Sequence, residues 1–261
     1  MLLSWLRKRR RRKFLAQPFP AEWLAYLQWN VRHYRFLSEA EQAKLRDDLR
    51  IFIAERHWEG CGGLVMTEEI KVTIAAQACL LVLAMEGDFY RQVQSILVYP
   101  SGYRAPEAMQ TRTGIVDADG QARLGEAWYR GPVVLSWADV LAEGRHPGRG
   151  NNLVFHEFAH QLDMLDGAAN GTPPLPNRET EQRWRNIMTA EYRRLVDRSE
   201  QGEPTLLDSY GAQNEAEFFA VATECFFDRP VPLARWHPPM YELLRDYYRQ
   251  DPAERVARLE H

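Results

Sequence analysis

The sequence lacks most of the features that mark secreted, disulfide-stabilised or membrane-spanning proteins. Its three cysteines, Cys61, Cys79 and Cys225, are scattered and show no CxxC spacing, a usage typical of reduced thiols in a cytoplasmic protein. No apolar run reaches the roughly 18 residues that a membrane-spanning helix requires. The opening MLLSWL is too short for the apolar core of a signal peptide, and it precedes the basic residues instead of following them. We therefore expect a cytoplasmic protein.

Positive charge is scarce outside one short segment. Residues 7–13, RKRRRRK, are all basic, and the rest of the chain has 26 basic against 36 acidic residues. A body this acidic is not expected to bind nucleic acid directly. Residues 1–17 are predicted to be a flexible basic arm, most simply a solvated tail. The alternative is a weak contact of residues 1–13 with an anionic membrane surface.

Apolar periodicity predicts a mostly helical chain with a few short strands. Turn-rich residues 58–63 are expected to link two helices, and a hairpin turned on Asp119-Gly120 is expected over residues 114–128. The predicted helices cover residues 21–34, 39–57, 68–86, 179–198, 215–227 and 240–248, and further strands are predicted at 95–100 and 133–137. The pattern indicates an α+β fold with a small mixed or antiparallel sheet.

The most informative segment is residues 151–165, NNLVFHEFAHQLDML, which contains an HExxH motif formed by His156, Glu157 and His160. Imidazoles four positions apart share one face of a helix, where a single Zn²⁺ can take both as ligands. Glu157 can then face a metal-bound water as general base. The alternative is a core helix in which each histidine is satisfied by a local hydrogen bond.

The flanks of this motif favour the metal interpretation. They are mostly apolar, as in a buried helix, with an asparagine N-cap at Asn151 or Asn152 and a stop signal at Gly167. A catalytic zinc site also needs a third protein ligand. Asp166 is a poor one, because a continuing helix would carry it about 15 Å along the axis from the first histidine. Asp163 is expected to accept a hydrogen bond or to be exposed.

A glutamate from another helix is the second route to a third ligand. Glu217 and Glu224 are seven residues apart and share one face of the helix predicted over 215–227. Glu217 is favoured, although with Asn214 as N-cap its carboxylate could simply close the cap. Glu224 stays an alternative, either as the ligand itself or as a group that supports one.

Three segments in this order carry a family resemblance. HEFAHQLD is followed by Asp208-Ser209-Tyr210 and then by EAEFFAV, residues 215–221. The combination resembles the Mlc titration factor A family of bacterial zinc peptidases and, more distantly, the catalytic domain of anthrax lethal factor. The similarity runs from about residue 18 to 252 and is strongest over 133–227.

The resemblance implies a role for each candidate residue. His156, His160 and Glu217 would be ligands of one zinc ion, Glu157 the general base and Tyr210 a donor to the transition state. It also implies a zincin-like fold of the gluzincin type and a cytosolic peptidase with aminopeptidase activity on peptide substrates. A further implied partner is the glucose-responsive transcriptional repressor Mlc.

These expectations give a domain organisation and one competing function. Residues 18–258 are predicted to form a single zincin-like domain, with an N-terminal helical part at 18–90 and a catalytic part at 91–258. Residues 259–261 resemble the start of a purification tag. The competing function is a regulator-sequestering binding protein with a peptidase-like scaffold and little hydrolytic activity. The presence of all five candidate residues favours the enzyme.

Overall fold

Helices dominate the computed structural model, which describes residues 2–101 and 131–258. The α-helices in these ranges are α1 (Leu2–Leu15), α2 (Ala21–Asn30), α3 (Glu39–Ala54), α4 (Glu68–Leu81), α5 (Trp137–Arg145), α6 (Leu153–Asp163), α7 (Arg178–Glu200), α8 (Glu215–Asp228), α9 (Pro230–Trp236), α10 (Pro238–Tyr248) and α11 (Pro252–Ala257). Short 3-10 helices cover Arg32–Phe36, Met164–Asp166 and Ser209–Ala212. None of the helices in the described ranges has both the length and the apolar character that a membrane crossing requires.

The sheet in the described part of the chain has three strands, β1 (His57–Gly60), β2 (Ser95–Tyr99) and β3 (Val133–Ser136), in that order. Both pairings are parallel, so the predicted mixed or antiparallel sheet is wrong for these strands. The long connections explain the difference, because parallel neighbours need a crossover and α4 lies in the one between β1 and β2. The predicted hairpin at residues 114–128 lies outside the described residues.

Helix α4 is the central element of the core. Thr67 caps it by accepting a hydrogen bond from the backbone N–H of Ile70 at 3.3 Å, and every residue from Val72 to Leu81 is buried. It packs against α2 and α3 on the N-terminal side and against α6 on the other, so it joins the N-terminal helices to the HExxH helix. A helix apolar on nearly every side is expected in such a position. The predicted α+β class, mostly helical, is confirmed.

The basic N-terminal segment forms a helix in the structure. Arg50 on α3 donates hydrogen bonds to the backbone carbonyls of Phe14 at 2.7 Å and Gln17 at 3.0 Å, and Arg11 lies 2.6 Å from a carboxylate oxygen of Glu55. The buried Arg50 side chain therefore holds the end of α1 against α3. The segment predicted to be a flexible arm thus has a defined attachment at its C-terminal end.

Candidate metal centre

Helix α6 presents the two motif histidines on one face. Its N-cap is Asn152, whose side chain accepts a hydrogen bond from the backbone N–H of Phe155 at 3.0 Å. Asn152 in turn donates to the side-chain oxygen of Gln77 on α4 at 2.8 Å, which fixes the start of the helix against the core. One turn apart, the Nε2 atoms of His156 and His160 approach to 3.2 Å.

The first turn of α8 brings a carboxylate to the same point. Asn214 caps this helix by accepting from the backbone N–H of Glu217 at 2.9 Å. Glu217 Oε2 lies 3.0 Å from Nε2 of His156 and 3.5 Å from Nε2 of His160. Each of these residues offers one ligand atom, and the three atoms lie within 4.8 Å of one another.

Glu224, two turns further along α8, occupies the other side of His156. Its Oε1 lies 2.7 Å from His156 Nδ1, and its Oε2 accepts from the backbone N–H of Asn152 at 2.5 Å. A carboxylate at this distance requires a proton on Nδ1, so in the neutral imidazole Nε2 carries the lone pair. The geometry therefore gives the two glutamates different places: Glu217 faces the Nε2 atoms, and Glu224 orients the ring.

The electrostatics of this group fit a bound cation. Burial alone would lower the pKa of His156, but its hydrogen bonds to Glu217 and Glu224 raise it to about 10. Burial opposes ionisation of Glu217, yet the two imidazoles hold its pKa at about 2. Glu217 Oε2 is buried, and its polar neighbours are the Nε2 atoms of His156 at 3.0 Å and His160 at 3.5 Å. Electron-pair donors that converge in this way repel one another unless a positive charge lies between them. A metal ion held by imidazole and carboxylate ligands would supply that charge.

Glu157 and Tyr210 lie beside the three ligand candidates. Glu157 is half-buried, and burial raises the pKa of its carboxyl while His156 and His160 oppose the shift. Tyr210 lies in the 3-10 helix Ser209–Ala212, where its backbone N–H donates to Asp208 at 2.9 Å, and its ring centroid is 5.9 Å from that of His156. The structure thus brings together all five residues selected from the sequence.

The segment after α6 follows a different course from a continuing α-helix. Asp166 is exposed and accepts from the backbone N–H of Ala168 at 3.0 Å, close to the turn at Gly167. Asp163 is fully buried, accepts from the backbone N–H of Gly171 at 2.8 Å, and burial raises its pKa to about 6. Gly171 has φ +73°, and a Cβ there would come 2.3 Å from the backbone oxygen of Glu215. Asp163 therefore holds this loop against the start of α8.

Two residues that position the site had no role assigned from the sequence. Asp208 receives hydrogen bonds from the side chain of Asn151 at 3.0 Å and from the backbone of Tyr210, so it ties the Tyr210 segment to the residues before α6. Gln77 receives the hydrogen bond from Asn152 inside the core. The sequence signal for Gln77 was a single glutamine in an otherwise apolar helical segment. Such a glutamine is buried with the helix, and buried amides need hydrogen-bond partners.

Comparison with known proteins identifies the family. A profile described as glucose-regulated metallo-peptidase M90 matches residues 5–249. The Mlc titration factor A of Serratia proteamaculans is 34% identical over 227 residues, 86% of each chain, and that of Yersinia pestis is 31% identical over 266 positions, 99% of this chain and 94% of its own. An uncharacterized protein of Synechocystis sp. is 38% identical over 251 residues, 96% of this chain and 90% of its own. The predicted resemblance is confirmed, and the chain belongs to the M90 family of metallopeptidases.

Proposed function

We propose that this chain is a zinc-dependent peptidase of the gluzincin type with a zincin-like fold, in which His156, His160 and Glu217 hold one zinc ion. The observation that carries the proposal is the convergence of two Nε2 atoms and one carboxylate oxygen within 4.8 Å, inside a member of a metallopeptidase family. Two imidazoles and one carboxylate form a known ligand set for catalytic zinc, which leaves a coordination position for water or substrate.

Glu157 is the proposed general base. When bound, a zinc ion supplies Lewis acidity, which brings the pKa of a coordinated water toward neutrality and polarises the scissile carbonyl. Glu157 takes the proton of the attacking water and then delivers it to the leaving amine. A half-buried carboxylate with a raised pKa suits this role, because it must both accept and release a proton within one turnover.

Tyr210 is the proposed donor to the oxyanion of the transition state. The ring lies close to that of His156, and Asp208 fixes the backbone that carries it. Donors of this kind typically contribute a few kcal/mol to transition-state stabilisation. Tyr210→Phe should therefore lower kcat with little change in KM, since the hydroxyl acts on a charge that the bound substrate does not yet have.

The finer assignments rest on the family resemblance. They are an aminopeptidase preference on peptide substrates, a cytoplasmic location, one domain over residues 18–258 and binding of an Mlc-type repressor. The name Mlc titration factor A, carried by two relatives, supports the last of these and also supports the second candidate function, a regulator-sequestering protein with little hydrolysis. Repressor capture by both wild type and Glu157→Gln, without cleavage of any peptide, would favour that second candidate.

The test of the enzyme proposal combines metal analysis with a cleavage profile. The purified full chain should contain zinc at about one equivalent, as a single three-ligand site holds. A peptide library should be cleaved near free N-termini if the protein is an aminopeptidase, and at internal bonds if it is an endopeptidase. A zinc-loaded protein that cleaves no member of the library would contradict the proposal.

A further inference from the structure

Helix α1 places a cluster of positive charge on the surface of an otherwise acidic protein. Its sequence, LLSWLRKRRRRKFL, contains seven basic residues and no acidic one. The rest of the chain has 26 basic against 36 acidic residues. Arg50 on α3 holds the end of this helix through its hydrogen bonds to the backbone carbonyls of Phe14 and Gln17. The basic cluster therefore has a defined place on the fold.

One side of α1 is used for attachment to the body of the protein. The guanidinium group of Arg50 lies 5.2 Å from the centroid of the Phe14 ring. Arg11 lies 2.6 Å from a carboxylate oxygen of Glu55 and 3.7 Å from one of Asp88. Residues 11 and 14 are three positions apart, so they lie on the same side of the helix. This side faces α3 and the segment that carries Asp88.

The opposite side of α1 combines an exposed tryptophan with exposed cations. Trp5, Arg9 and Arg12 follow the spacing i, i+4 and i+7, which places them on one face of the helix, and all three are exposed, Trp5 by 53%. The Arg9 guanidinium group lies 5.5 Å from the centroid of the Trp5 ring. Lys13, one turn after Arg9, is also exposed. None of these three cations forms an ion pair with a residue that the structure describes, so they are free to pair with an external anion.

The tryptophan and the acidic body together favour a membrane surface over nucleic acid. A tryptophan on a basic helix face is typical of helices that lie in a membrane interface, because the indole ring prefers the level of the lipid headgroups. A nucleic-acid groove encloses a helix on several sides, whereas one side of α1 is held against α3, and the acidic body repels phosphates that run past it. A bilayer is flat, so it can meet the free face of α1 alone.

We propose that the face of α1 formed by Trp5, Arg9, Arg12 and Lys13 docks onto a bilayer surface rich in anionic phospholipid. The Trp5 ring lies at the level of the headgroups, and the three cations pair with lipid phosphates through charge-assisted hydrogen bonds. The contact is peripheral and reversible, because one helix face with a single aromatic side chain buries little apolar area. Since exposed charges are screened by salt, the docking weakens as ionic strength rises.

Flotation of the full chain with lipid vesicles tests the proposal. At low salt the protein should float with vesicles made of equal parts phosphatidylcholine and phosphatidylglycerol, and should stay behind when the vesicles contain phosphatidylcholine alone. Added sodium chloride should release it from the anionic vesicles. Failure to float with the anionic vesicles at low salt would overturn the proposal, and so would equal flotation with both kinds of vesicle.

Matched variants locate the contact on α1. The double variant Arg9→Gln, Arg12→Gln should lower the partition coefficient on anionic vesicles about 25-fold, because each basic residue near an anionic surface contributes about fivefold. The control, Arg178→Gln with Arg193→Gln, removes the same charge from exposed positions on α7 and should leave partitioning nearly unchanged. Trp5→Ala keeps every charge and should still weaken partitioning. Equal effects of the two double variants, or an unchanged partition coefficient for Trp5→Ala, would contradict the docking face.

Nucleic acid is tested as the competing partner in the same assay. Excess duplex DNA or single-stranded RNA should leave the protein on the anionic vesicles. Displacement by either would overturn the proposal and assign the basic face to nucleic acid. None of these results depends on bound zinc or on peptidase activity, so they stand apart from the test of the metal centre.

Discussion

The His156 region and the His33 region contain the same two chemical groups, a buried imidazole and a buried carboxylate whose nearest atoms are 3.0 Å apart. They differ in what surrounds the pair. His156 has a second carboxylate, Glu224, on its Nδ1 and a second imidazole, His160, beside its Nε2. His33 has Asp228 alone, and its Nδ1 has no partner among the described residues.

The difference shows that the number and direction of nearby groups, and not the pair itself, distinguish the candidate metal centre. A third pair makes the same point: His237 Nδ1 lies 2.7 Å from Glu191 Oε2, with Arg194 at 3.3 Å from the other oxygen, and no further ligand candidate joins it in the described part of the chain. In the His156 region the second carboxylate fixes the ring, so that Nε2 faces the other two candidate ligand atoms.

Among the variants that distinguish the two regions, Glu217→Ala should have the largest effect, which is on zinc content. Glu217→Ala deletes one of the three proposed ligands and should reduce zinc from about one equivalent per chain to almost none, with complete loss of peptidase activity. Asp228→Asn, which changes the carboxylate of the other pair, should keep its zinc. Elemental analysis of both dialysed proteins measures the effect, and Glu215→Ala, an exposed glutamate of the same helix, is the control. Loss of zinc from Glu224→Ala with retention in Glu217→Ala would reverse the ligand assignment.

Glu157→Gln should separate chemistry from metal binding. The amide cannot accept the proton of the attacking water, so kcat/KM should fall by about 10²–10⁴-fold or more while zinc content stays unchanged. Peptide hydrolysis rates and elemental analysis on the same preparation measure both quantities, with Glu215→Gln as the matched control. Retention of full activity would remove Glu157 from the mechanism.

Glu224→Gln tests whether zinc affinity depends on the orientation of the His156 ring. The variant weakens the acceptor on Nδ1 while keeping its size, so zinc affinity should fall by roughly 10–100-fold without loss of the fold. Competition with a chromophoric chelator gives the dissociation constant, and circular dichroism checks the fold. An unchanged dissociation constant would mean that the ligand face of His156 needs no support from Glu224.

Asp228→Asn should leave the candidate metal centre unchanged and alter only the pH dependence of stability. Burial raises the pKa of Asp228 to about 6, although His33 opposes the shift, so the folded chain binds this proton more tightly than the unfolded chain. The unfolding free energy of the wild type should therefore fall as pH rises from about 4 to 6, by up to about 3 kcal/mol from this group, and stay lower above pH 6. The variant should lack this decline.

Urea unfolding at pH 4 and pH 7.5 measures the difference between the two proteins. The exposed Glu22→Gln variant is the control and should follow the wild type. If Asp228→Asn and wild type lose the same free energy between the two pH values, the buried carboxylate does not titrate as its burial requires.

Local sequence signals were enough to predict several helix starts and the two histidines of the candidate site. Ser38 followed by Glu41 predicts a capping box for α3, Thr67 predicts a cap for α4, and Asn151 or Asn152 predicts one for α6. Each cap joins groups only three residues apart, and the structure contains all of them, with Asn152 as the cap of α6. Strand β1 was predicted as a turn-rich link because residues 58–63 contain three glycines, and α5 was not predicted at all. Both gain stability from neighbours elsewhere in the chain, which a short window of sequence does not contain.

The sequence by itself determined the shared face of His156 and His160, because the pitch of an α-helix fixes that spacing wherever the helix lies. Only the tertiary structure decided which of Glu217 and Glu224 faces the two Nε2 atoms, since that depends on how α8 packs against α6, more than fifty residues away in the chain. It likewise decided the parallel direction of the strands and the burial of His33 against Asp228. Contacts between residues so far apart in the chain depend on how the whole core packs.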